Sequence, residues 1–111
     1  MSEDARASEL WGLLLESEGD PAGALANYQY GTVLDDPVSM WCEAGAVRMA
    51  VAVGELATAQ ASLERLDELI LRWPAGEWTR EEARGWIAAS QDHPDEAIGH
   101  FHAAAGACTR A

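Results

Sequence analysis

Apolar residues recur along the chain at three- and four-residue spacing, and the turn signals between them divide it into six segments. Leu10, Trp11, Leu14 and Leu15 follow that period before Gly19, which predicts a first helix over residues 4–18. Asp20 as cap and Pro21 at the first position predict a second, which carries Ala24, Leu25, Tyr28 and Val33 inward and ends near Asp35. The pair Asp36-Pro37 repeats that signal and opens a third helix over 38–53, apolar on most sides and therefore expected in the middle of the fold, with Gly54 ending it. From Glu55 to Trp73 the residues Leu56, Ala59, Leu63, Leu66, Ile70 and Trp73 alternate at three and four, an amphipathic helix too short to favour a coiled coil over packing within the chain. Pro74-Ala75-Gly76 reads as a loop. Thr79 with Glu82 three residues on reads as a capping box opening a fifth helix to Ser90, and Asp92-His93-Pro94 opens a sixth to Cys108. No segment reads as a strand.

Shifted by 73 residues, the chain aligns with itself: Glu9 falls on Glu82, Gly12 on Gly85, Ser17 on Ser90, Pro21 on Pro94, Ala24 on Ala97 and Tyr28 on Phe101. Matches at small and turn residues are not what generic helix composition produces, and 73 leaves room for one irregular unit between two regular ones of about 34 residues. The helix–turn–helix period and these residues resemble the tetratricopeptide repeat (TPR). In that family a small residue on the first helix of a unit allows close approach, an Ala twelve positions on receives it, and an aromatic follows four later. Gly12, Ala24 and Tyr28 fill those places in the first unit, and Gly85, Ala97 and Phe101 in the last. In the middle unit Trp41 and Gly45 look like the signature, but Ala59 lies fourteen residues beyond Gly45; either the turn is longer or Val47 holds the small-residue site.

The resemblance implies an all-α fold of three antiparallel helical hairpins, six helices stacked as a TPR-like α-solenoid, in one domain over 1–111 with units at about 4–36, 37–74 and 78–108. It further implies that the first helix of each unit lines a concave groove. Glu9, Leu13 and Glu16 would then share one face with Glu82, Trp86 and Ala89 of the last unit, and Trp41, Ala44 or Arg48 would join them from the middle one. An acidic groove with aromatic anchors suits a partner protein or peptide carrying Arg or Lys beside apolar residues. Trp41 and Trp86 are either such anchors or core. Members of the family that hold a C-terminal carboxylate use basic and amide groups; here the first helices supply few, among them Arg6, Arg48 and Arg84, which argues against that mode.

Composition adds direction. The 111 residues include 19 acidic and 7 basic side chains, no Lys, and a formal net charge of -12. Such a surface repels phosphate, which counts against nucleic acid and anionic membrane as partners. Residues 1–6 are polar and acidic with no apolar signal core, and no later stretch is long enough to span a membrane, so a cytoplasmic protein is expected. A lysine-free, Ala- and Arg-using composition points towards a high-GC bacterial source.

Candidate chemistry is sparse. Cys42 and Cys108 belong to no metal-ligand spacing and read as buried thiols, so neither a metal nor another cofactor is expected. His93, His100 and His102 gather near the last helix, but His100 and His102 point to different sides of it and read as surface residues. The pairs Asp35-Asp36 and Glu81-Glu82 suit helix starts, where carboxylates favour the dipole. A small accessory enzyme is thus the least favoured function. A third function follows from the last helix, where Ile98, Phe101 and Ala105 are expected to leave apolar surface open: a homodimer, a different partner or a further part of a longer protein would cover it equally well.

Overall fold

The computed structural model describes residues 3–33 and 36–110, and these form six helices and no strand. They are α1 (Glu3–Ser17), α2 (Pro21–Thr32), α3 (Val38–Ala52), α4 (Leu56–Arg72), α5 (Glu77–Ser90) and α6 (Pro94–Arg110). The Asp20 carboxylate caps α2, accepting from the Gly23 N–H at 2.9 Å, with Pro21 in the first turn as its fixed φ favours. Before α3, Asp36 accepts from the Val38 N–H at 2.9 Å, two residues on instead of three.

Three local expectations change. α2 stops at Thr32, so Val33 stands beyond the helix and is exposed rather than inward, and the expected end at Asp35 lies outside the described residues. Pro74–Gly76 is a single 3-10 turn rather than an irregular loop. α5 starts at Glu77, which places Thr79 inside its first turn: the buried hydroxyl donates to the Gly76 carbonyl at 2.6 Å, and Glu82 is drawn away to Arg48 instead of closing a capping box.

The ends of α1, α3 and α5 share one turn. The N–H groups of Asp20, Glu55 and His93 reach back to the carbonyls of Leu15, Ala50 and Ala88 at 2.9, 2.8 and 3.0 Å. The residue just before each donor is left-handed: Gly19 (φ 80), Gly54 (φ 82) and Asp92 (φ 59). The next helix then opens with a bond from the N–H of Ala24, Ala59 and Ala97, and all three alanines are buried. Counting back from these turns, Val47 stands where Gly12 and Gly85 stand in the outer segments. Gly45 stands two residues earlier and makes a different contact.

That contact is with Tyr28. A Cβ on Gly12 would lie 2.5 Å from the Tyr28 ring and one on Gly45 2.7 Å, so the ring fills space that both glycines leave open. Gly85 makes the corresponding allowance for Phe101. α1 packs on α2 and α3, α3 also on α2, α4 and α5, and α6 mainly on α5. α3 is therefore central, and its Met40, Ala46, Val47 and Ala50 are buried in the main core with Leu66 and Ile70 of α4 and Ala83 and Ile87 of α5. The Cα radius of gyration is 12.9 Å, close to the ~13 Å of a globular chain this long.

One helix is turned against its pattern. α1 buries Ala5, Ser8, Glu9 and Gly12, whereas Leu10, Trp11 and Leu14, the residues whose period marks it as a helix, are exposed. Small residues win the inner face because Tyr28 and Cys42 already occupy the space there.

Candidate interaction groove

α1, α3 and α5 lie side by side and run the same way. Ala5 meets Cys42 near one end of the α1–α3 pair and Glu16 meets Arg48 near the other; Trp41 meets Trp78 and Arg48 meets Glu82 along α3 and α5. Their seam opens into a hollow of about 170 Å³. Of the groove residues expected from sequence, Glu9, Leu13, Trp41, Ala44, Arg48 and Glu82 line it and Ala89 does not. Glu16 joins them through Arg48. Trp86 does not line the hollow: it packs edge-on against Phe101, with ring centroids 5.4 Å apart, on the α5–α6 side.

Tyr28, Trp78 and Thr79 complete the lining. Trp78 is absent from the sequence expectation because a capping box at Thr79 opens the fifth helix after it; with α5 starting at Glu77, Trp78 lies four residues before Glu82 on the same face. It stands edge-on to Trp41, centroids 6.0 Å apart. The two indoles form the apolar end of the hollow.

The polar end is an ion cluster. Arg48 donates through Nε and Nη2 to the two oxygens of Glu16 at 2.8 and 2.7 Å, and through Nη1 to Glu82 at 2.9 Å. The Tyr28 hydroxyl donates to Glu16 at 3.0 Å. Arg6 closes on Glu9 at 2.6 Å. The hydrogen bond from Arg48 holds the Glu16 carboxyl below its usual range against the opposing effect of burial. Burial works against the Arg48 charge, but the bond to Glu16 and the nearby carboxylates outweigh it and keep the guanidinium firmly protonated. Burial and the Glu16 carboxylate together push the Tyr28 phenol up, so it stays a neutral donor. Three carboxylates face two guanidinium groups, and the cluster is left with one unit of negative charge rather than an open acidic field.

The last helix presents a different surface. Ile98, Phe101, His102 and Ala105 line an open hollow of about 290 Å³ on α6, which gathers the three residues expected for self-association. Cys42 is buried and its thiol is pushed up to about 12, chiefly by burial and then by Glu9, Glu43 and Asp36; Cys108, expected to be buried, is exposed. His100 pairs with Glu81 at 2.9 Å and His93 with Glu96 at 3.5 Å. Among the described residues no three His, Cys, Asp or Glu side chains gather as a metal site, and no helix is long and apolar enough to cross a membrane.

Comparison with protein-family models finds no match, and no curated protein or solved structure matches the chain.

Proposed function

We propose that this chain is a protein-interaction module built as a TPR-like α-solenoid of three antiparallel hairpins, which holds a basic and apolar segment of a partner protein in the hollow between α1, α3 and α5. The observation that carries this reading is the hollow itself, where a Trp41–Trp78 corner lies beside a carboxylate cluster with one negative charge in excess. The recurrence of the same turn after α1, α3 and α5 supports the repeat. An indole corner accepts an aliphatic stem or a cation, and the uncompensated charge favours Lys or Arg beside it. The module works in the cytoplasm and performs no catalysis.

Selection from a displayed peptide library tests the reading. The expected consensus places Lys or Arg next to apolar residues, and Leu13→Ser, at an exposed position on the rim, lowers affinity while helicity and melting temperature stay nearly unchanged. Trp86→Ala serves as the control that leaves binding intact. A consensus without positive charge, or binding indifferent to Leu13→Ser and Glu82→Gln, refutes the groove.

Self-association through α6 is a second reading, favoured by the exposure of Ile98 beside the wide hollow on that helix.

A further inference from the structure

We propose that copies of this chain associate head to tail, the outward stripe of α1 on one copy seating in the open face of α6 on the next. The inference rests on the repeat reading above but not on the groove.

The repeated turns fix which positions correspond. Gly54 lies 35 residues after Gly19, and Asp92 lies 73 after it. By the first offset Ala7, Leu10, Trp11 and Leu14 of α1 fall on Cys42, Gly45, Ala46 and Met49 of α3, all of which are buried. Two of these meet α2 directly: a Cβ on Gly31 would lie 2.5 Å from the Cys42 sulfur, and the Tyr28 ring fills the space at Gly45. The stripe of α1 is therefore the face that, in α3, packs on the preceding helix. On α1 it is open, with Leu10 at 51%, Trp11 at 57% and Leu14 at 43% exposure.

The complementary face lies at the other end. By the second offset Leu25 and Tyr28 of α2 fall on Ile98 and Phe101 of α6; the Tyr28 ring fills the space at Gly12 of α1 and Gly45 of α3. Leu25 is 6% exposed and Ile98 is 55%. Shape agrees with this pairing, since α1 offers large projecting side chains and α6 a shallow open depression lined by Ile98, Phe101, His102 and Ala105. Pairing α1 with α1 would instead set projection against projection and bring Asp4 and Glu18, both exposed, against their own copies.

Size and charge set the strength. The apolar part of the α1 stripe is on the order of 300 Å², well under the roughly 800 Å² per partner of a standard stable interface. Each copy also carries -12, so repulsion opposes contact and added salt promotes it. The contact is heterologous and does not close on itself, so it yields a ladder of species rather than one dimer.

Complementing variants provide the test. Leu10→Asp with Leu14→Asp disables one face and Ile98→Asp the other; sedimentation velocity up to about 1 mM should show wild-type chains growing with concentration and salt, and each variant alone monomeric. Mixed, the two variants should form a 1:1 complex and nothing larger, because each retains the face the other lacks. Circular dichroism checks the fold, and His102→Glu replaces Ile98→Asp should that variant lose helicity. Leu13→Ser should leave assembly unchanged, which separates this result from the fate of the groove. Wild-type chains that stay monomeric at high concentration and salt, a variant that still pairs with itself, or a mixture that forms no complex would overturn the proposal.

Discussion

Arg48 grips Glu16 as a fork, Nε and Nη2 donating to separate carboxylate oxygens at 2.8 and 2.7 Å, and so ties the end of α1 to the last third of α3. The same guanidinium reaches Glu82 on α5, so one side chain joins all three helices of the hollow.

Replacing Arg48 by Met should therefore cost about 2 kcal/mol in denaturant unfolding, less than the roughly 3–5 kcal/mol of a fully buried pair because Glu16 and Glu82 retain partial exposure. Acid should reveal the same coupling. Glu16 titrates lower in the folded chain than its usual 4.5, so its contribution is complete above that value and is lost as pH falls through the folded value. The wild type should lose stability over that window and Arg48→Met should lose less; equal slopes would mean that the pair contributes nothing.

Gly45→Ala tests the Tyr28 contact through its sign. In an ordinary helix interior Ala is favoured over Gly by about 1 kcal/mol, but here the new methyl meets the ring and should destabilise by roughly 1–3 kcal/mol. Trimming the ring in a Tyr28→Leu background should remove most of that cost, giving a strong coupling in a double-mutant cycle. Additive effects would show that the ring moves aside freely.

Glu43 is a carboxylate buried on α3. It is 1% exposed, Oε2 accepts from Arg65 at 2.9 Å, and Oε1 has no hydrogen-bond partner. Burial raises its carboxyl above the usual range despite Arg65. The folded state thus holds the proton more tightly than the unfolded one, and stability falls as pH rises from 4.5 through the folded value. Glu43→Gln should raise stability at neutral pH by about 1 kcal/mol, with the advantage fading in acid, since Arg65 is half exposed and tolerates the loss. A destabilised variant at neutral pH would mean that the ion pair outweighs desolvation.

The cysteines should react in two stages. Iodoacetamide should label Cys108 in the folded protein and Cys42 only on unfolding, because burial holds the Cys42 thiol at about 12 and closes it to solvent. Mass spectrometry before and after denaturant counts the adducts; rapid double labelling of the native chain would place Cys42 at the surface.

The sequence made the helices legible because Pro21, Pro37 and Pro94 mark the starts of α2, α3 and α6 and Gly19 and Gly54 the stops of α1 and α3, and the central burial of α3 followed from its lack of a polar face. Helical periodicity places Glu9, Leu13 and Glu16 within one sector, but it was the resemblance to the repeat that set them beside Trp41, Arg48 and Glu82, five of these six residues lining the hollow. Two things were not legible. Periodicity marks an apolar stripe without saying which way it faces, so Leu10 and Trp11 identified α1 as a helix while its inner face went to Ser8, Glu9 and Gly12. Charge counts could not foresee the pairing either, because Arg48 lies 32 residues from Glu16 and 34 from Glu82 in sequence and meets them only through packing.

The way α6 is attached has a bearing on how the molecule comes apart. Its one extensive neighbour is α5, whereas α3 is gripped from several sides. Opening therefore begins where neighbours are fewest: α6 can peel from α5 and re-zip while the Arg48 cluster stays closed, and amide protons there exchange with solvent long before those of α3. Hydrogen exchange should therefore rank α6 before α3 in its loss of protection.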